Sequence, residues 1–225
     1  MEDLKQQAGE RAAELVTDGM KVGLGTGSTV HYTLLALGRR VKEEGLDIVG
    51  VPTSVRTERT SLEVGIPLGD LDELGRLDIT IDGADEVDPH LNLIKGLGGA
   101  LVREKIVAAH TRELVIIVDS SKMVEVLGTR SPLPVEVFKM GHKRLHSALA
   151  DLGCAPALRM DDDGSPFVSD NGNHIYDCRF ERIPRPHDLE MEINNVIGVV
   201  QNGLFLDMTT RVVVASTSGV FIKQR

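Results

Sequence analysis

Residues 77–118 read LDITIDGADEVDPHLNLIKGLGGALVREKIVAAHTRELVIIV. An apolar run from Leu77 to Ile81 leads into Asp82-Gly83-Ala84-Asp85, and Lys95 opens the glycine-rich Lys95-Gly96-Leu97-Gly98-Gly99-Ala100. A helical pattern then runs from Ala100 to Ala109, and a second apolar run spans Leu114 to Val118. The order is strand, polar loop, helix, strand. Strands joined through helices form right-handed βαβ crossovers, which build a mainly parallel sheet covered on both faces.

Working outward, the same alternation fills the first half of the chain. The periodicity predicts a helix over 3–17 with Leu4, Ala8, Ala12 and Leu15 on one face, then a strand from Lys21 to Leu24. A second helix, about 28–44, carries Val30, Leu34 and Val41 and ends at Gly45 before a strand from Asp47 to Val51. A third, about 54–64, ends at Gly65. Glycine just past the last helical residue is the expected stop.

After Ser131-Pro132-Leu133-Pro134 the grammar changes. A strand at 134–138 precedes a helix at 141–152 with Leu145, Leu149 and Leu152 as its stripe. Residues 155–160, the turn Asp161-Asp162-Asp163-Gly164 and a short strand lead to Asp170-Asn171-Gly172-Asn173 and the run Ile175 to Phe180. Asn-Gly between extended runs signals a hairpin. A helix at 186–195 and a strand from Val199 to Gln201 complete a β-α-β-β-α-β order, the split βαβ arrangement. Val212-Val213-Val214 reads as a strand buried on both faces that rejoins the first sheet. The expected architecture is a Rossmann-like α/β domain at 1–130 plus 204–225, with a smaller ferredoxin-like α+β domain inserted at 131–203.

Composition narrows the function. The 225 residues are 41% hydrophobic and 26% charged with a formal net charge of −9, so no basic footprint offers itself to nucleic acid or an anionic membrane. An anionic ligand would be small and met by local cations. Cys154 and Cys178 have no metal-type spacing, and no apolar run suits a signal peptide or a membrane span. A reducing cytoplasm is the expected setting.

The polar motifs fall at the carboxyl ends of predicted strands. Gly23-Leu24-Gly25-Thr26-Gly27-Ser28-Thr29 follows the first, Asp82 to Asp85 a later one, and Asp119-Ser120-Ser121-Lys122 another. Ligands of open α/β sheets bind outside those ends. The first loop lacks the third glycine of a dinucleotide fingerprint, since Ser28 stands there, and no acid ends the second strand. It reads instead as a phosphate-binding turn, with Thr26, Ser28 and Thr29 hydroxyls beside helix N–H groups, or as an ordinary turn. Asp82 and Asp85 suit acid–base work or a solvated turn. Glu104 is one helical turn from Ala100 and Leu101, which would bury part of its carboxyl group and raise its pKa toward that of a working base. The alternative is a solvated helix charge paired with Arg103 or Lys105. His142 and His146 have helical i, i+4 spacing, but Lys143 stands where a zincin would carry Glu. A solvent-facing histidine pair is expected.

Taken together, Gly25 to Thr29, Asp82-Gly83-Ala84-Asp85-Glu86, Lys95-Gly96-x-Gly98-Gly99-Ala100-Leu101-x-Arg103-Glu104-Lys105, Ser121-Lys122, Pro132 to Val137 and Asp170 to Asn173 resemble, in order and spacing, type A ribose-5-phosphate isomerases. The resemblance covers essentially the whole chain and departs at Leu97, where many members carry another glycine. It implies interconversion of D-ribose 5-phosphate and D-ribulose 5-phosphate through an enediolate in the non-oxidative pentose phosphate pathway, without metal or organic cofactor. By that resemblance Glu104 is the proton-shuttling base. Asp82, Asp85 and Lys95 attend the oxygens and assist ring opening. Thr26, Gly27, Ser28, Thr29, Gly83, Ala84, Gly96, Leu97, Gly98 and Lys122 complete the substrate set, and Lys5 is a further phosphate candidate. A homodimer or homotetramer is implied, with no nucleic-acid or membrane partner. Two other readings are a sugar-phosphate-sensing regulator, disfavoured because no basic DNA-binding segment precedes the first helix, and an amino-sugar phosphate deaminase-like enzyme, which would need a different catalytic set.

Overall fold

The computed structural model describes residues 2–225. Its first half alternates as the periodicity predicts: α1 (Glu2–Ala13), β1 (Met20–Leu24), α2 (Ser28–Glu43), β2 (Ile48–Pro52), α3 (Val55–Val64), a single turn α4 (Leu71–Leu74) and β3 (Leu77–Gly83). Two very short strands, β4 (Glu86–Val87) and β5 (Leu93–Ile94), precede α5 (Leu101–Ala109) and β6 (Thr111–Asp119). Then follow β7 (Leu133–Val137), α6 (His142–Ala150), β8 (Ala155–Leu158), β9 (His174–Arg179), α7 (Pro186–Asn194), β10 (Val199–Asn202), β11 (Leu204–Phe205), β12 (Arg211–Ser216) and β13 (Gly219–Gln224). No helix among the described residues is long and apolar enough to cross a membrane.

The chain divides into two compact units. The first comprises the residues up to Ala84, Arg103–Lys122 and Asp207–Arg225. Its sheet has the order β13-β12-β6-β3-β1-β2, parallel throughout except for the antiparallel edge strand β13. Val212, Val213 and Val214 are fully buried in β12, as an apolar run without alternation requires. Ala8 and Ala12 of α1 and Val30, Leu34 and Leu37 of α2 share one core with Leu24, Ile79, Ile81 and Val115 of the strands. Val107 of α5 packs in a separate cluster with Val51 and Leu77. From β1 the chain winds through α2 to β2 on one side, then returns to place β3 on the other side of β1. That reversal makes the carboxyl ends of β1 and β3 the topological switch point, where ligands of open α/β sheets bind.

The second unit comprises Asp85–Val102 and Met123–Leu206. Its four-stranded antiparallel sheet has the order β10-β7-β9-β8, and α6 and α7 supply Leu145, Leu149, Leu189 and Ile193 to its core. This is the split βαβ arrangement expected from the sequence. At the Asn-Gly turn, Glu136 of β7 accepts hydrogen bonds from Ser169 Oγ (2.9 Å), Asn171 Nδ2 (3.2 Å) and Asn173 Nδ2 (2.9 Å). The histidine pair is only half as expected. His146 is exposed, but His142 is half-buried with its ring 4.9 Å from that of His174.

The division also departs from the expected boundary, because residues 85–102, 123–130 and 204–206 belong to the second unit. The cause is a three-stranded sheet of order β11-β5-β4, whose two-residue strands are too short to show periodicity. Glu86 fastens it: its wholly buried carboxylate accepts from the backbone N–H groups of Gly128 (2.6 Å), Arg130 (2.6 Å) and Ser131 (2.5 Å). Replacing it by alanine strands those donors at about 1–3 kcal/mol for each one left unsatisfied. Glu86→Ala is expected to lower the thermal midpoint by at least ~6 °C in calorimetry, given the roughly 2–4 °C per kcal/mol usual at this chain length. An unchanged midpoint would remove Glu86 from this role.

Candidate active site

The first unit holds the glycine loop, Asp82, Glu104 and Lys122. At the switch point the N–H of Thr26 donates to Asp82 Oδ1 (3.0 Å), and so does the N–H of Gly83 (2.8 Å). Asp82 is 1% exposed. Such close approach of β1 and β3 depends on glycine. A Cβ on Gly25 would lie 2.3 Å from Asp82 Oδ1 and 2.6 Å from its Cα, and one on Gly23 would lie 2.1 Å from Thr80 Oγ1.

Hydroxyls fix the far side of the loop. Thr26 Oγ1 lies 2.8 Å from Thr53 Oγ1, 2.9 Å from Ser54 Oγ and 3.1 Å from Thr57 Oγ1, while Thr57 Oγ1 donates to the Gly25 carbonyl (2.8 Å). The Thr26 hydroxyl is therefore part of the loop's internal frame. Thr53 and Ser54 directly follow β2, so the strand-end rule that selects Thr26 would find them too.

Beyond Thr26 the backbone opens. Gly27, with φ of 138°, is the N-cap of α2 and provides no side-chain cap, so the first N–H groups of a 16-residue helix are available to an anion. Ser28 is exposed and Thr29 half-buried in that first turn. A cavity of about 480 Å³ opens here, lined among others by Ser28, Lys5, Arg56 and Thr57. Lys122 is half-buried in the short 3-10 turn after β6, where Asp119 Oδ1 accepts from Ser121 N–H (2.9 Å).

Glu104 lies in the first turn of α5 and is 3% exposed. It precedes Val107 by three residues and so shares that residue's buried face. Its reading as a solvated helix charge is excluded.

The second unit holds Asp85, Lys95 and the rest of the glycine run. The N–H of Asp85 donates to the Ile94 carbonyl (2.8 Å), and the N–H of Lys95 to that of Gly203 (2.9 Å). Lys95 is 2% exposed, with Nζ 5.3 Å from the centroid of the buried Phe205 ring, a cation–π distance. Asp85 Oδ2 accepts from the Leu97 N–H (3.0 Å). Gly96 and Gly99 have positive φ, whereas Leu97 and Gly98 are exposed. Gly83 and Ala84, half-buried, end the first unit's share of the chain before Asp85.

Among the described residues no three His, Cys, Asp or Glu side chains are grouped to hold a metal ion. The thiols of Cys154 and Cys178 share a hydrogen bond, which holds Cys154 below its usual pKa and Cys178 above it.

Comparison with known proteins shows the family of the chain. Residues 49–219 match the model of the family described as ribose 5-phosphate isomerase A (phosphoriboisomerase A). The chain belongs to that family. It is 50% identical over 220 residues to ribose-5-phosphate isomerase A 1 of Oceanobacillus iheyensis, covering 98% of this chain and 97% of that protein. The solved ribose 5-phosphate isomerase A of Methanocaldococcus jannaschii superposes with a TM-score of 0.95 at 42% identity, over 100% of this chain and 99% of that one. A D-ribose-5-phosphate isomerase solved in complex with phospho-erythronic acid does so at 0.97 and 40% identity, with the same coverage.

The Gly25–Asp82 contact sets a stability test. The clashing atoms include Asp82 Cα, which no rotamer change can move away, and overpacking of this kind costs about 1–3 kcal/mol. Gly25→Ala is expected to lower the thermal midpoint by several degrees. A midpoint equal to that of the wild type would contradict the close approach.

Proposed function

We infer that this protein interconverts D-ribose 5-phosphate and D-ribulose 5-phosphate. The observation that carries the reading is Glu104, a buried carboxylate on the inward face of α5 in a chain of this family. In the open-chain aldose the Glu104 carboxylate takes the proton from C2, leaving an enediolate, and returns it to C1. The hydroxyl proton passes from O2 to O1, and the carbonyl moves from C1 to C2. A general base positioned for such a transfer contributes roughly 10²–10⁴ in rate.

The remaining polar groups divide by task. Asp82 is fixed by two backbone N–H groups and Asp85 by one. They act on the sugar hydroxyls and assist ring opening, while the Lys95 ammonium, sequestered from water, stabilises the oxyanion that develops. The uncapped start of α2, with Ser28 and Thr29, takes the phosphate, and Lys5 and Lys122 supply positive charge. Thr26 serves this site through its backbone and by bracing the loop. Gly83, Ala84, Gly96 and Gly98 let the main chain approach the substrate.

No metal or organic cofactor enters the proposed steps. The reaction belongs to the non-oxidative pentose phosphate pathway, in the cytoplasm, and the assembly is a homodimer or homotetramer.

Formation of ribulose 5-phosphate from ribose 5-phosphate, followed with and without a chelator, tests the whole reading. Absence of turnover would refute it, and loss on chelation would refute the cofactor-free route. Glu104→Gln is expected to reduce kcat by ~10²–10⁴ with little change in KM, and near-normal kcat would exclude Glu104 as the base. The double variant Ser28→Ala, Thr29→Ala is expected to raise KM roughly tenfold with a smaller effect on kcat, since hydrogen bonds to a charged group contribute about 1.5–3 kcal/mol each. An unchanged KM would move the phosphate elsewhere.

A further inference from the structure

Arg159 follows directly after β8, 62 residues from Leu97 of the glycine run, and nothing in the sequence pattern singles it out. Its side chain is 12% exposed and every part of the guanidinium is engaged. Nε and Nη2 donate to the two carboxylate oxygens of Asp177 (2.9 and 2.5 Å), a bidentate pairing with β9. Nη1 donates to the carbonyls of Gly96 (3.0 Å) and Leu97 (3.2 Å). The guanidinium carbon lies 5.7 Å from the Phe167 ring centroid, and that ring would meet a Cβ on Gly99 at 2.5 Å. The fork, the stacking ring and the glycine with φ of 81° therefore clamp one segment, Gly96 to Gly99.

The same peptide units lead to the proposed machinery. The N–H of Leu97 donates to Asp85 Oδ2, and Lys95 is joined to Gly96 through the backbone. Asp177, Arg159, the Gly96 and Leu97 carbonyls, the Leu97 amide and Asp85 form one continuous chain of polar contacts within the second unit.

We propose that Arg159 is a positioning residue for the isomerisation, holding the Lys95–Gly99 loop so that Asp85 and Lys95 meet the reacting oxygens. It touches no substrate itself. The inference rests on the assignment of Asp85 and Lys95 given above. An ammonium at this position could reach Asp177 or the carbonyls but could not span both as the planar fork does. A displacement of about 1 Å at reacting groups costs up to ~10²-fold in rate, which sets the size of the effect.

The test uses the full-length protein with Arg159→Gln, Arg159→Lys and, as a reference, Lys95→Ala. The probes are phospho-erythronic acid, whose planar, anionic carboxylate resembles the enediolate, and inorganic phosphate. Arg159→Gln is expected to lower kcat ~10–100-fold and raise the inhibition constant of phospho-erythronic acid by a similar factor. KM and the inhibition constant of inorganic phosphate should change less than about threefold, because the phosphate groups lie on other elements. A merely structural loss would reduce the amount of active enzyme and leave both inhibition constants unchanged, and that outcome overturns the proposal. Arg159→Lys keeps charge and bulk and covers the case in which the glutamine variant does not fold. It should show the same split at smaller amplitude, and wild-type inhibition constants in it would be equally decisive against. If Lys95→Ala retains wild-type kcat, the assignment of Lys95 fails; if it loses activity while Arg159→Gln does not, the positioning role alone fails.

Discussion

The hydrogen bond from the Thr26 amide to Asp82 is the contact on which the first unit's arrangement depends. It joins the ends of β1 and β3, the two strands between which the winding direction reverses. A carboxylate 1% exposed is costly unless its oxygens are engaged, and here the Thr26 and Gly83 amides engage one of them. The contact is possible because Gly23 and Gly25 leave no Cβ where Thr80 and Asp82 stand. Glycines that resemble a dinucleotide fingerprint thus have a different physical cause. They let two parallel strands bring a buried acid against a backbone amide.

Once Thr26 is fixed, the following residues have little choice. Its hydroxyl faces Thr53, Ser54 and Thr57, so the chain must turn away at Gly27 before α2 begins. The helix start is left uncapped and open, which for an ordinary helix is a stability defect and for an anion site is an asset. Glu104 and Lys95 carry the same tension between burial and charge, since each is almost wholly removed from solvent. A charge held in a dry setting interacts more strongly with what approaches it, and nearby dipoles need not reorganise as the reaction proceeds.

Most of this was legible where local pattern and tertiary demand agree. Val212 to Val214 could be placed in the parallel sheet because an unbroken apolar run is what a two-sided strand needs, and Asn171-Gly172 marked its turn. Glu104 could be assigned to a buried face from its spacing to apolar neighbours. Other features had no local signal. Strands β4, β5 and β11 are two residues long and are defined only by pairing with one another, so boundaries at 130/131 and 203/204, read from local pattern, separate them from the unit in which they pack. The framing role of the Thr26 hydroxyl has no local signal either, because its partners Thr53, Ser54 and Thr57 lie in the turn after β2 and in α3. Arg159 was invisible for the same reason, since its contacts are with backbone carbonyls, which no side-chain pattern records.

Leu97, the one branched residue inside the glycine run Gly96–Gly99, shows how such backbone contacts govern tolerance. Its φ is not in the left-handed region, so a branched residue meets no conformational penalty there, unlike at Gly96 and Gly99. Its side chain is 42% exposed, while its amide donates to Asp85 and its carbonyl accepts from Arg159. Both polar groups of the residue are committed to neighbours that any amino acid with an N–H would serve equally. Leucine is therefore compatible with the loop, and its amide at position 97 donates to the Asp85 carboxylate.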